Sequence, residues 1–90
     1  MTGGDAVLRF ARGVRLRHDA TRDQWVVLAP EKAFLPDGPA LAVLQLVDGV
    51  RSLGAIVDSR AALFGAPRTV IEADVAELVG DLVGRGVLQA

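Results

Sequence analysis

The apolar residues of this 90-residue chain change their spacing at Asp37. Before it, the stretch VRLRHD at 14–19 alternates apolar and charged residues, which is typical of a half-buried strand. After it, apolar residues recur every third or fourth position, as they do on one face of a helix. Strands followed by helices predict an α+β fold, and a small sheet with three helices would make it winged-helix-like.

Three antiparallel strands are predicted before this change, at about 13–18, 24–29 and 31–35. The residues QWVVLA suit a pleated surface, and the polar residues ATRD join them to the first strand as a hairpin. Pro30 stands at the entry to the third strand, where its missing N–H does least harm. The sequence therefore predicts a meander whose last strand has one free edge.

Three helices are predicted after it, at about 38–48, 52–64 and 68–83, followed by a short C-terminal strand at Val87 and Leu88. Asp37 and Ser52 are residue types that favour helix N-caps. In the third helix, Thr69 and Glu72 have the spacing of a capping box. The first helix is apolar nearly all round, which indicates that it is buried or faces a partner.

The length and composition predict one domain, at residues 12–90, after a flexible N-terminal tail at 1–11. With 51% hydrophobic residues, the chain has enough apolar material to fold. It has no cysteine, so it needs no oxidising compartment. No run approaches the roughly 20 apolar residues of a membrane span. We therefore expect a cytoplasmic protein.

Candidate catalytic residues are scarce. The single histidine, His18, is adjacent to Asp19, but neighbouring residues of a strand point to opposite faces. One histidine without cysteine leaves only carboxylates as metal ligands, and no glycine-rich loop opens a helix to bind phosphate. We expect that the chain is not an enzyme and that it binds neither a metal nor a cofactor.

A winged-helix fold raises a nucleic-acid-binding protein as an alternative. The third helix argues against it, because a cluster of carboxylates on that helix would repel phosphates: Glu72, Asp74, Glu77 and Asp81. The formal net charge of -1 also gives no general attraction to a polyanion. We expect no nucleic-acid partner, and steep salt-dependent binding to duplex DNA would favour the alternative.

The predicted third strand, between Pro30 and Pro36, allows two interpretations. In one, the prolines and Lys32 protect a free sheet edge against aggregation. In the other, an extended peptide pairs with that edge and fills pockets beside it. An open edge is also compatible with a homodimer. The residues alone leave these alternatives open.

The segments RLRHDATRDQWVVLAPE, VLQLVDGVRSLGAIV and LVGRGVL, in this order, resemble the PqqD family of pyrroloquinoline quinone biosynthesis. More broadly, they resemble the recognition domains of ribosomally made, modified peptides. The matching positions are Arg15, Leu16, Asp19, Arg22, Leu28, Pro30, Glu31, Leu44, Asp48, Gly49 and Ile56. The chain departs from the family pattern at three positions: Lys32 stands for a glycine, Pro36 for a leucine and Asp37 for an asparagine.

The resemblance implies a non-catalytic chaperone that binds the precursor peptide PqqA as an added strand and presents it to the radical SAM enzyme PqqE. A recognition domain for another modified peptide, such as a lasso peptide, is a further alternative. The resemblance places the bound peptide on the third strand, beside the third helix. The site residues implied are Lys32, Ala33, Phe34 and Leu35 on the strand, and Val75, Leu78, Val79 and Leu82 on the helix.

Overall fold

A computed structural model of the chain describes residues 4–90. It has the predicted three-stranded antiparallel sheet, three helices and short C-terminal strand, and it adds a short strand near the N-terminus. The elements are β1 Arg9–Phe10, β2 Arg15–Asp19, β3 Gln24–Leu28, β4 Ala33–Phe34, α1 Gly38–Leu44, α2 Leu53–Phe64, α3 Arg68–Gly84 and β5 Leu88–Gln89.

The main sheet has the order β2-β3-β4. Its register sets Val27 opposite Leu16 on one side and opposite Phe34 on the other, so these side chains share one face. Val27 is fully buried there, and the other two pack against the core. The helices supply most of the remaining core residues: Val43, Leu44, Leu53, Ile56, Val57, Val75, Val79 and Leu82. This face of the sheet is therefore the inner one.

The third strand of this sheet, β4, is shorter than the predicted span of 31–35. The amide of Ala29 donates to the carbonyl of Lys32 at 2.9 Å, so Pro30 and Glu31 form the two-residue turn between β3 and β4. Pro36 follows soon after the strand and has no N–H to continue it. The two prolines thus bracket a strand of only two residues.

Two of the predicted helix caps are confirmed. The Asp37 carboxylate accepts the amide of Ala40 at 2.9 Å, and the Ser52 hydroxyl accepts the amide of Ala55 at 3.1 Å. The capping box predicted for α3 is wrong, because its N-cap is Pro67 and no side chain caps that end. The side chain of Glu72 pairs instead with Arg68, one turn before it on the helix, at 2.6 Å.

The first helix ends at Leu44, short of the predicted 48. Beyond it, the amides of Leu46 and Val47 donate three residues back, which tightens the chain into a turn of 3₁₀ type. The carboxylate of Asp48 then accepts the backbone amides of Val50 and Arg51, at 2.9 and 2.8 Å. These hydrogen bonds, with Arg51 the larger contribution, hold the pKa of Asp48 below its ordinary value.

The N-terminal segment contains β1, which the sequence analysis did not predict. Arg9 pairs with Gln89 and Phe10 with Leu88, so β1 and β5 form a second, two-stranded sheet. Just before it, Leu8 is fully buried in the core. The chain from here onward is part of the packed fold.

Residues 4–6 continue this packing over the start of α2. The amide of Leu53 donates to the carbonyl of Ala6 at 2.8 Å, and that of Gly54 to the carbonyl of Gly4 at 2.9 Å. Amides in the first turn of a helix have no partner within the helix, so these carbonyls satisfy them. Of the tail predicted at 1–11, residues 1–3 lie outside the described part, and residues from 4 onward contact the domain.

No helix within residues 4–90 combines the length and the apolar character that crossing a membrane requires.

Candidate functional site

The outer edge of β4 offers unpaired backbone groups. Hydrogen-bonded and non-bonded residue pairs alternate along an antiparallel ladder. Because Ala29 and Lys32 form a bonded pair, the next bonded pair is Val27 with Phe34. The N–H and C=O groups of Ala33 and Leu35 therefore point away from β3. No backbone hydrogen bond from another element of residues 4–90 reaches them, so this edge is open.

The side chains along this edge have different environments. Lys32 and Ala33 are exposed, and Leu35 is an apolar side chain with 59% of its surface exposed. Phe34 is half-buried and packs against the core, which fixes the strand to the body of the domain. An exposed leucine at the end of an open strand is a feature that a second chain can cover.

A groove of about 470 Å³ opens where the chain leaves β4 and enters α1. Residues 37–39, at the start of α1, form one side of it. Side chains of all three helices line the rest, and the apolar ones are Val43, Phe64, Ile71, Val75 and Leu78. The open edge and the apolar groove are thus close along the chain, since Leu35 is two residues before Asp37.

The rim of the groove carries charges. The guanidinium carbon of Arg60 lies 4.6 Å from the centre of the Phe64 ring, a cation–π contact that orients a ring with 61% of its surface exposed. Asp37 and Asp74 are the acidic groups of the rim. Asp74 forms no ion pair within residues 4–90. The site is therefore an apolar groove with a mixed, mainly acidic border.

An ion-pair network on the protein surface joins α2 and α3, two of the helices that line the groove. Arg68 at the start of α3 donates to Asp58 of α2 and to Glu72, both at 2.6 Å. The hydrogen bond to Asp58 is the main cause that raises the pKa of Arg68 above its ordinary value, so the guanidinium stays charged. Because these side chains are exposed, the network links α2 to α3 but contributes little to stability.

The structure brings together only part of the site that the sequence predicted. Val75 and Leu78 line the groove, and Leu78 is half-buried. Val79 and Leu82 are buried in the core, beneath the surface of α3. Their side chains therefore contribute to the core and do not line the groove.

Phe64 was not predicted as a groove residue, because Leu63 and Phe64 are adjacent apolar residues and the helical pattern does not tell which of them faces the body of the domain. Consecutive helical residues point in directions about 100° apart, so two apolar neighbours do not both face the same core. Leu63 is 69% exposed and does not line the groove, whereas Phe64 does. The pair of adjacent apolar residues at a helix end was the available signal.

His18 is the single histidine of the chain and is exposed on β2. His18 bonds to Asp23 at 3.1 Å and lies 5.0 Å from the ring of Trp25, on the hairpin surface. The carboxylate of Asp19 instead accepts the amides of Thr21 and Arg22. Within residues 4–90, no three His, Asp or Glu side chains come together in a way that could hold a metal ion.

The family model for Coenzyme PQQ synthesis protein D (PqqD) matches residues 24–88. A curated relative, the PqqA binding protein of Gluconobacter oxydans (strain 621H), is 52% identical over 82 residues, which cover 91% of this chain and 85% of the relative. The PqqA binding protein of Rhodopseudomonas palustris (strain HaA2) is 47% identical over 77 residues, or 86% of this chain and 76% of its own length.

Two solved structures have a similar fold. One is the PqqD truncation of Methylobacterium extorquens PqqCD, described as a stand-alone RiPP recognition element. It has a TM-score of 0.78 and 39% identity, and the match covers 100% of this chain and 96% of that one. The other is lasso peptide synthetase B1 complexed with the leader peptide. Its TM-score is 0.77 at 18% identity, over 94% of this chain and 100% of that one, which establishes a shared fold alone.

Proposed function

This chain belongs to the PqqD family, and on that premise we propose that it binds the precursor peptide PqqA without catalysing a reaction itself. One observation carries the proposal: the outward backbone groups of Ala33 and Leu35 are unpaired within residues 4–90, and two residues later, at Asp37, the chain begins to line an apolar groove. A relative with 52% identity is named a PqqA binding protein, which supports the choice of peptide.

The peptide binds as an added strand on the outer edge of β4. Ala33 and Leu35 together offer two N–H groups and two carbonyls, and each hydrogen bond formed contributes about 1 kcal/mol net. Lys32 flanks this template, and Phe34 anchors it to the core. Backbone pairing of this kind gives affinity with little dependence on the peptide sequence, so selectivity needs a second element.

The groove supplies that selectivity. Apolar side chains of the peptide, directed from the added strand, enter between Leu78 and Val75 of α3 and the ring of Phe64. Burial of one or two such anchors contributes roughly 1.5 to 3 kcal/mol each. Val79 and Leu82 support the wall from the core. Together with the backbone hydrogen bonds this amounts to roughly 5.5 to 10 kcal/mol before the cost of ordering the peptide, so we expect a dissociation constant of about micromolar or weaker.

An affinity of this size allows release, which suits a chaperone that presents its peptide to an enzyme. We propose that the enzyme is the radical SAM enzyme PqqE and that the complex forms in the cytoplasm. A homodimer formed through the edge of β4 would compete with the peptide for the same backbone groups, so the peptide-binding form is the one with this edge free.

The test is a titration of ¹⁵N-labelled protein with PqqA, followed by NMR. We expect the largest amide shifts at Ala33 and Leu35, and further shifts at Phe64, Ile71 and Leu78. Shifts restricted to the face of Arg15 and Arg17 would contradict the site, and no shift at all would contradict the peptide assignment. A lasso leader peptide and duplex DNA serve as comparison ligands. Tighter binding of either one favours the corresponding alternative.

A further inference from the structure

The face of the main sheet that is turned away from the helices carries a basic and apolar surface. The register sets Arg15 opposite Leu28 and Arg17 opposite Val26, so these four side chains share the face opposite the inner one. We define them as the outer sheet face. A depression of about 530 Å³ lies there, lined by Arg17, Val26 and Leu28 with residues 18–21 of the hairpin. Arg15 and Arg17 are exposed on this face, and Val26 and Leu28 are half-buried.

The arginines of this face have no partner in the part of the chain that the structure describes. Arg15 and Arg17 are exposed and form no ion pair within residues 4–90. Asp19 lies on the same face, but its carboxylate already accepts the amides of Thr21 and Arg22. Unpaired guanidinium groups beside half-buried aliphatic side chains are typical of protein interfaces, where arginine is enriched around an apolar centre.

We propose that the outer sheet face docks an acidic surface of the enzyme that modifies the bound peptide. This inference rests on the proposed function, because an added strand on β4 would extend the same sheet. Ala33 lies opposite Leu28 and so faces the same side as the outer sheet face. A protein seated on this face therefore reaches the flank of the bound peptide without occupying its groove.

The distribution of charge favours an acidic partner and directs that partner to the outer sheet face. On α3, Asp74 and Glu77 are exposed and unpaired within residues 4–90, so that helix repels the same partner. The two sides differ in sign, which orients the incoming enzyme during association. The peptide edge lies between them, at the border of the basic side.

The experiment uses the double variant R15E/R17E and the control R9E/R12E, which makes the same change in net charge. Arg9 and Arg12 are exposed and unpaired within residues 4–90 but lie on β1 and the turn after it. Affinity for the radical SAM enzyme is measured with and without PqqA, at low and high salt, and affinity for PqqA is measured separately. We expect R15E/R17E to weaken enzyme binding by about tenfold or more and to reduce its salt dependence. The affinity for PqqA should stay within about twofold of that of the parent chain, since substitutions distant from the peptide site and sharing no partners with it have nearly independent effects.

An equal loss in both double variants would overturn the proposal, because it would indicate general electrostatics and no particular face. Unchanged enzyme binding in R15E/R17E, or no enzyme binding by the parent chain, would overturn it as well. So would a salt-sensitive dimer of this chain that R15E/R17E dissociates, since a second copy would then occupy the face. If the parent chain fails to bind PqqA, the proposed function fails, while enzyme binding measured without peptide still decides the docking face.

Discussion

Strands β1 and β4 are both two residues long, yet their surroundings are opposite. β1 pairs with β5, and the residue before it, Leu8, is fully buried. β4 pairs with β3 on one side only, and the residue after it, Leu35, is 59% exposed. The role of a short strand is thus set by what lies along its free side and not by its length.

The backbone hydrogen bonds around the two strands show the same difference. Around β1, carbonyls before the strand satisfy the amides of Leu53 and Gly54, and the amide of Ala11 donates to Val87 at 2.9 Å. Along β4, the outward groups of Ala33 and Leu35 have no such partner in residues 4–90. We therefore expect changes at β1 to affect stability and changes at β4 to affect peptide binding.

The largest effect is expected from Leu8→Ala. Leu8 is fully buried, and its truncation leaves a cavity in the core. Such changes cost about 2 to 5 kcal/mol of the free energy of unfolding. Chemical denaturation followed by circular dichroism measures this. Where the variant is folded, its affinity for PqqA should match that of the parent chain.

The matched control is Val50→Ala. Val50 is also aliphatic but is 79% exposed, so its truncation should change the free energy of unfolding by less than about 0.5 kcal/mol. Equal stability of Leu8→Ala and Val50→Ala would show that the segment around Leu8 does not belong to the packed domain. The proposed difference between β1 as a stabilising strand and β4 as a binding strand would then be wrong.

The next effect is expected from Phe64→Ala, with Leu63→Ala as its control. Both residues are exposed at the end of α2, but only Phe64 lines the groove. Removing the ring should weaken PqqA binding by about 1.5 to 2 kcal/mol, or roughly ten- to thirtyfold, because an apolar side chain of the peptide would no longer be buried against it. Isothermal titration calorimetry measures both variants. A loss of the same size in Leu63→Ala would place the binding surface on the exposed end of α2 and outside the groove.

A smaller effect is expected from Ala33→Pro, compared with Ala33→Ser. Proline removes the outward N–H of β4 but no bond to β3, and serine keeps that N–H. One lost hydrogen bond corresponds to about 1 kcal/mol, or roughly fivefold weaker PqqA binding. Thermal unfolding checks that both variants stay folded. If the two variants bind PqqA equally well, the peptide does not accept a hydrogen bond from this amide.

Much of the fold could be predicted from local patterns. The alternation at 14–19 and the caps at Asp37 and Ser52 depend on neighbouring residues alone, and the structure has all three. β1 could not be found in this way, because its stability comes from β5 at the other end of the chain. Two residues with one apolar side chain carry no periodicity, so a strand of that length has no local signal.

The site was partly predictable for the same reason. The run between Pro30 and Pro36 marks an edge strand by its prolines, which are local. The groove depends on how three helices meet, and their apolar periodicity does not tell a wall residue from a core residue. Leu78 and Val79 are consecutive in one pattern, yet Val79 is buried and Leu78 lines the groove. Only the packing of α2 on α3 separates them.

The smallest expected effect is a pH dependence on the β1 side of the molecule. The Asp48 carboxylate accepts the amide of Arg51, whose carbonyl accepts the amide of Leu8 at 3.3 Å. The hydrogen bonds from the amides of Arg51, the larger contribution, and of Val50 lower the pKa of Asp48 in the folded protein below its ordinary value of 3.8. A group whose folded pKa is lowered stabilises the fold above the unfolded pKa, and this stability is lost as the pH falls through the folded pKa. Asp48 should therefore favour the folded state at neutral pH and lose that effect below the ordinary value.

The variant D48N isolates this contribution, because asparagine keeps an acceptor oxygen but removes the charge. The parent chain should be the more stable of the two at neutral pH, and the difference should shrink in acid. Denaturation at several pH values measures it. PqqA affinity at neutral pH should be the same in both, since Asp48 is outside the groove and the edge of β4. A stability difference that stays constant with pH would show that the charge of Asp48 does not support the segment around Leu8. A change in peptide affinity would show that the β1 and β4 sides are coupled and not independent.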